Sequence, residues 1–277
     1  MQKPAMKPLF FIGIPTWGQH SFLFTQSLLG AVMPTNFSMQ VRFIPQMEVG
    51  RARKILLQEA VNMGAKYMMY RDEDTIAPGN LVPTLIYHLE HHPDWTFVGG
   101  LYCTKSSPPE PLVYTEWGQG ADWNFKKGEL KKVLYTGMGA SMFRVSDVAE
   151  LPTNVYKERN PWTAQDMDVH EWFKTNAIEN EGKDINIQKR GNTEDAFFFS
   201  LLEDAGLKSY IDTNMSCGHF DITTGQMYYT PFEGEYATLP DPWNHEPRIV
   251  NVGAGGSEDK YEFNVDLQAG PNVDFVC

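Results

Sequence analysis

An α/β fold is predicted, with strands in a sheet and helices crossing over between them. Three observations predict it. Short apolar runs bounded by turn residues alternate with helical patterns over residues 9–98, the pattern of parallel strands joined by crossover helices. Further strand runs return after an irregular stretch, around Gly137-Met138-Gly139. One apolar run, residues 67–70, ends abruptly in Arg71-Asp72-Glu73-Asp74. Ligands of open α/β sheets sit beyond the carboxyl ends of the strands, where these acids fall.

In order, residues 9–14 are a continuous apolar run that Pro15-Thr16-Trp17-Gly18 breaks, giving a buried strand and a loop. Residues 21–32 read as a helix ended by Met33-Pro34. Residues 39–44 form a second strand, and Pro45-Gln46-Met47-Glu48 a loop. Residues 50–63 place Ala52, Ile55, Leu56 and Ala60 at near-helical spacing, with Gly64 closing the helix. The third strand is the run ending in the acids. Residues 80–91 form the next helix with Asn80 as N-cap, and residues 95–98 the fourth strand.

After Gly99-Gly100 the character changes. Residues 101–131 are rich in Pro, Gly, Trp and Tyr and read as loops and short hairpins. Residues 131–135 and 140–144 are strands, and residues 145–151 a short helix. Residues 152–192, polar and aromatic without clear period, are expected to line or cover a site. Thr193-Glu194-Asp195 opens a helix through Ala205 with Phe197, Phe198, Leu201 and Leu202 on its buried face, and Gly206 ends it. Residues 209–212 are one more strand, and residues 215–219 lead into a turn-rich, aromatic tail.

The 277 residues are 42% apolar and 21% charged, ordinary for a chain that buries a full core. A net charge of -12 argues against a general phosphate-backbone binder. An anionic nucleotide is still accommodated if a metal and a few arginines neutralise it locally. Cys103, Cys217 and Cys277 have neither CxxC spacing nor an even-numbered framework, so a reduced, cytoplasmic protein is expected. No signal peptide is read after Met1, and no apolar run approaches a transmembrane length.

Side chains two apart on an extended segment point the same way, so Asp72 and Asp74 can converge while Glu73 points elsewhere. Converging carboxylates make a hard-oxygen site for Mg²⁺ or Mn²⁺, shared with a phosphate ligand. The structural alternative is a solvated acidic turn. Arg51 and Arg53 start a helix, where cations are unfavourable unless an anion sits nearby. A donor phosphate supplies that reason, and a solvated basic turn is the alternative. Pro15, Thr16 and Gln46 are candidates for contacting a nucleoside by position alone.

The ordered pieces resemble a nucleotide-sugar-dependent glycosyltransferase of the GT-A fold, family-2-like. Phe11-Ile12-Gly13-Ile14-Pro15-Thr16 is similar to the family's first strand and donor-contacting loop. Gly50-Arg51-Ala52-Arg53-Lys54, followed by Asp72-Glu73-Asp74, is similar to its Arg-headed helix and DXD strand. Residues 135–144 resemble the Gly-rich strand near the acceptor, and Thr193-Glu194-Asp195 with Cys217-Gly218-His219 the ED helix and late metal-binding histidine. The likeness spans residues 9 to about 220. It implies a Rossmann-like mixed sheet flanked by helices; residues 221–277 match nothing in the family and are expected to form an irregular C-terminal extension or lid packed on the same domain. Within residues 1–220 the donor half covers about 1–100 and the acceptor half about 101–220.

The resemblance implies a sugar transfer from a nucleotide-diphospho-sugar, a UDP-sugar favoured, to a glycan or other hydroxyl-bearing acceptor. A modified nucleic-acid base is a less favoured acceptor. Asp74 and His219 would hold Mn²⁺ (or Mg²⁺), Asp72 would lie against the ribose or a metal-bound water, and Glu73 belongs to the same donor loop. Asp195 would take the acceptor proton in an inverting displacement, with Glu194 as alternate. Acids in a first helical turn also stabilise the macrodipole by about 0.3–1 kcal/mol with no catalytic purpose. A lone histidine near a strand end is more often a structural hydrogen-bonder. Gly137 and Gly139 allow close backbone approach or a bulge. Trp117, Trp123, Trp162 and Trp172 fall in the segments given to the acceptor, though most tryptophans simply pack.

Two rivals remain. A metal-dependent nucleotidyltransferase would share the paired acids, but Pro15-Thr16-Trp17-Gly18-Gln19 is not its Gly- and Lys/Arg-rich phosphate loop. A non-catalytic carbohydrate-binding or virion-associated module would explain the aromatic loops but not converging acids with a late histidine.

Overall fold

The computed structural model describes residues 7–175 and 193–232. The chain divides into two compact units, Met1–Glu233 and Gly234–Cys277, and all described residues belong to the first. Residues 176–192, and residues 233–277 of the C-terminal extension, therefore lie outside the described residues.

The strands are β1 (Leu9–Thr16), β2 (Ser38–Pro45), β3 (Ala65–Arg71), β4 (Thr75–Ile76), β5 (Trp95–Leu101), β6 (Leu130–Val133), β7 (Ala140–Arg144), β8 (Val155–Arg159), β9 (Asp166–His170), β10 (Lys208–Ser216), β11 (Gly218–Phe220) and β12 (Met227–Tyr228). The helices are α1 (Phe22–Leu29), α2 (Val49–Asn62), α3 (Leu81–His91), α4 (Val145–Ala149) and α5 (Glu194–Asp204). Seven strands form one mixed sheet in the order β2-β1-β3-β7-β5-β10-β6. β1 pairs in parallel with β2 and β3, and β10 with β5, whereas β7 runs antiparallel between β3 and β5. This is the Rossmann-like mixed α/β sheet with flanking helices that the sequence predicts.

Strand alternation sorts the core into two layers. Phe11 of β1, Met68 and Tyr70 of β3, and Phe143 of β7 pack under α2, α4 and α5. Phe10, Ile12 and Ile14, with Tyr67, Met69 and Met142, pack under α1 and α3. Burying each such side chain contributes about 1.5–3 kcal/mol before its ordering cost. The same alternation aims the side chains at the end of β3. Arg71 falls on the α1 side, where its guanidinium donates to Ser27 Oγ and to the Thr75 carbonyl. Asp72 falls on the same side as Tyr70, facing α2.

Several expected elements shift. β5 runs through Gly99 and Gly100 to Leu101 rather than stopping at residue 98. A Cβ on Gly100 would stand 2.8 Å from the Met215 carbonyl, so glycine here marks the close approach of β10. α1 ends at Leu29, short of residue 32. Asn80 occupies the N-cap position of α3 but makes no side-chain cap hydrogen bond. On α5 the buried aromatics are Phe198 and Phe199, with Phe197 half-buried. Within residues 152–192, β8 and β9 form an antiparallel hairpin. Its signal was the alternation of Asp166, Asp168 and His170 with Met167 and Val169, the last two buried. No described helix is long and apolar enough to cross a membrane.

Candidate functional site

A cavity of about 520 Å³ opens beyond the carboxyl ends of the parallel strands. Its walls include Arg53 from α2, Asp72 and Asp74 from the turn after β3, Tyr135, Thr136 and Gly137 ahead of β7, Glu194 and Asp195 from α5, and His219 from β11. The size suits a ligand of nucleotide dimensions.

Arg53 organises one end. It is 2% exposed and reaches three carboxylates. Its Nη2 donates to both oxygens of Asp72, at 3.0 and 2.9 Å, and its Nη1 donates to Glu194 Oε1 at 2.8 Å and to Asp195 Oδ1. The Tyr70 hydroxyl donates to the Arg53 carbonyl at 2.6 Å and steadies the α2 turn that carries it. Burial alone would lower the Arg53 guanidinium, but Asp195, Asp72 and Glu194 outweigh it and keep it charged. Burial pushes the Asp195 carboxyl up to about 7. The Arg53 charge opposes that rise, while the Glu194 and Asp72 carboxylates add to it.

α5 starts here because Thr193 caps it, its hydroxyl accepting from the Ala196 amide. That cap fixes Glu194 and Asp195 in the first turn at the cavity wall. The Met138 backbone, in the segment before β7, lies close enough to Asp195 to favour its carboxylate form. Both glycines of the segment are required. A Cβ on Gly137 would collide with the Tyr102 hydroxyl, and one on Gly139 would stand 2.6 Å from Thr75 Oγ1.

Sheet pairing builds the other end. β11 pairs antiparallel with β4, setting His219 opposite Thr75, and the Phe220 amide donates to the Asp74 carbonyl at 2.7 Å. His219 Nε2 thereby comes to 3.2 Å from Asp74 Oδ2. Lys105 Nζ reaches the same oxygen at 2.6 Å. Burial would raise the Asp74 carboxyl; the His219 hydrogen bond and charge, joined by Lys105, prevail and hold it down at about 2.

The donor set bears on the expected metal. His219 Nδ1 lies 2.7 Å from the Cys103 carbonyl, an acceptor, so Nδ1 carries the proton. Nε2 then faces the Asp74 carboxylate at 3.2 Å, and a backbone carbonyl on the far nitrogen is the usual support of a metal-bound imidazole. Asp74 and His219 thus fit a cation that completes its shell with phosphate and water. Asp72 does not join them, because Arg53 takes both its oxygens. Among the described residues no cluster of three or more His, Cys, Asp or Glu is set to hold a metal ion.

The remaining candidates divide. Glu73 points away from the cavity and ties down the end of β1, accepting from Thr16 Oγ1 and from the Trp17 amide at 2.8 Å. The Gln46 amide donates to the Thr16 carbonyl at 2.7 Å, and Gln46 itself sits at φ 55°. Pro15, Thr16, Gln46 and Glu73 thus form one buttressed loop beside the cavity rather than part of its wall. Arg51 is not brought in: it forks onto Glu158 of β8 at 2.6–3.1 Å. Residues two apart on a helix face different ways, so only one of the two arginines can face the cavity. The anions that the start of α2 requires come from the protein itself. Glu48 caps the helix by accepting from the Gly50 and Arg51 amides.

Trp172 is core, its indole donating to the Val148 carbonyl at 3.0 Å. Trp162 and Trp123 are exposed, and neither lines the cavity. Tyr102, Tyr114 and Lys105 were not anticipated. They come from the irregular stretch after β5, whose sequence carries no period to aim a side chain.

No family model matches the chain, and no curated protein matches it. Solved structures do. The chain is similar to A197 from STIV at 14% identity, over 81% of this chain and 94% of that one, with a TM-score of 0.49. It is also similar to S. aureus TarS 1–349 in complex with UDP-GlcNAc, at 12% identity over 53% of this chain and 48% of that one, TM-score 0.34. The same protein in complex with UDP gives 12% identity, 52% and 50% coverage, and a TM-score of 0.34. The chain thus spans about half of the TarS fragment. The chemistry of the site is carried by this chain's own residues.

Proposed function

We propose that the protein is a glycosyltransferase that moves a sugar from a nucleotide-diphospho-sugar, a UDP-sugar favoured, to an acceptor hydroxyl. One observation carries this reading: a single cavity holds the Arg53-bound Asp195 carboxyl at one end and Asp74 with His219, 3.2 Å apart, at the other. A group poised near neutrality suits a general base.

In this mechanism the acceptor oxygen attacks C1 of the donor sugar as its proton passes to the Asp195 carboxylate. The C1–O bond to the diphosphate breaks, and the nucleoside diphosphate leaves with the electron pair. Arg53 orients Asp195 and pairs with Asp72 beside it. Glu194, on the same guanidinium, is the alternate base. Mn²⁺ held by Asp74 and His219 would neutralise charge on the diphosphate. Thr16, Gln46 and Glu73, in the buttressed loop beside the cavity, would flank the nucleoside. The donor half ends near residue 100 and the acceptor half lies beyond it.

The test is UDP release from a panel of UDP-sugars with Mn²⁺, on wild type and Asp195→Asn. Release that the substitution abolishes, with an inverted anomeric product, supports the reading. Release unaffected by Asp195→Asn, or a product of retained configuration, overturns the assignment of the base.

A further inference from the structure

Three aromatic rings stand in a column against the cavity. Tyr135 stacks on Tyr114 at 4.2 Å between centroids and 4° between planes, and on Trp117 at 4.7 Å and 7°. Two rings parallel to Tyr135 and not in contact with each other lie on its opposite faces. The column therefore runs Trp117, Tyr135, Tyr114. Tyr114 and Tyr135 line the cavity and Trp117 does not, so Trp117 is the anchored end.

The anchoring is specific. The Trp117 indole donates to Glu203 Oε2 at 2.7 Å, on α5, the helix that also carries Asp195. A backbone bridge joins Tyr114 to Tyr135, with the Leu134 amide donating to the Tyr114 carbonyl at 2.7 Å. The segment that follows Tyr135, Thr136-Gly137, lines the cavity with Asp195. The column and the Asp195 carboxylate are thus fixed to the same two segments, and a ligand on one is placed relative to the other.

The surroundings restrict the ligand. Asp72, Asp74, Glu194 and Asp195 line the same cavity, and the chain carries a net charge of -12. Carboxylates accept hydrogen bonds from hydroxyl groups and repel a polyanion. An aromatic face beside hydrogen-bond acceptors suits a ring with an apolar C–H face and a rim of hydroxyls.

We propose that the Trp117–Tyr135–Tyr114 column is the acceptor subsite and that the acceptor presents a pyranose ring to Tyr114. This rests on the glycosyltransferase reading for what happens to the sugar, but not for its binding. A nucleic-acid acceptor is disfavoured by the acidic walls.

The experiment is saturation-transfer NMR on the full chain with three probes: methyl β-D-glucopyranoside, methyl β-D-galactopyranoside and thymidine. Each is applied to wild type, Tyr114→Ala and Tyr114→Phe, with calorimetric titration of UDP and Mn²⁺ alongside. The expected result is a glycoside signal at the ring C–H protons, weakened about tenfold in affinity by Tyr114→Ala and retained by Tyr114→Phe. UDP binding unchanged in both variants reports that the fold and donor site are intact. Glycoside binding indifferent to Tyr114→Ala, or thymidine alone binding in a Tyr114-dependent way, overturns the proposal. UDP binding absent throughout, with Tyr114-dependent glycoside binding, would sink the donor reading and leave the sugar subsite standing.

Discussion

At the Arg53 end of the cavity three carboxylates share one buried guanidinium. At the Asp74 end one carboxylate faces an imidazole and a lysine. On the proposed function the first end would hold the base in place and the second would take up a cation. Asp72 and Asp74 are two residues apart, yet they belong to different ends. The acidic triplet is therefore divided, with Asp72 on Arg53 and Asp74 beside His219 and Lys105.

The largest expected effect tests the fixed end. Asp195→Asn keeps size and Arg53 contact but removes the proton acceptor, and should cut sugar transfer by about 10²–10⁴-fold with UDP affinity unchanged. Steady-state kinetics beside calorimetry separate the two. Arg53→Met comes next. It strands partly buried carboxylates and should cost about 3 kcal/mol, a fall in Tm of about 6–12 °C by calorimetric scan. A Tm within a degree or two of wild type would mean that the three acids do not depend on Arg53.

The pH profile sharpens the same contrast. A base raised to about 7 predicts that kcat/KM climbs as pH rises through about 7, and that this limb disappears from the residual activity of Asp195→Asn. Stability runs the other way. Between roughly pH 4, where an unfolded Asp ionises, and about 7, the folded state retains a proton that the unfolded chain has lost. The contribution of Asp195 to folding is therefore full at low pH and lost as pH rises through about 7. Chemical denaturation of wild type and Asp195→Asn across this window reads the difference.

Smaller effects mark what lies outside the comparison. Thr193→Ala removes the cap that presents Asp195 and should cost about 1 kcal/mol. Arg51→Ala breaks an exposed pair with Glu158 and should cost under about 1 kcal/mol, with no change in UDP binding.

Much of the sheet was legible because β1, β3 and β5 are apolar runs with turn residues at their ends. α2 and α5 were legible from helical spacing and from Thr193. The place of His219 beside Asp74 was legible only through the family resemblance, since it depends on β11 pairing with the two-residue β4, which is too short to have a pattern. Arg53 was legible as a cation needing an anion. That the anions are Asp72, Glu194 and Asp195 required residues 19 and more than 140 positions away to meet. The β8–β9 hairpin was readable in alternation but hidden by its polar outer face.

The most direct test is calorimetric titration of UDP into the protein with Mn²⁺ and with EDTA, on wild type and Asp74→Ala. The account predicts binding that requires both the metal and Asp74. Binding that is equal in all conditions, or absent from all, would contradict a metal-assisted donor site at the Asp74–His219 end.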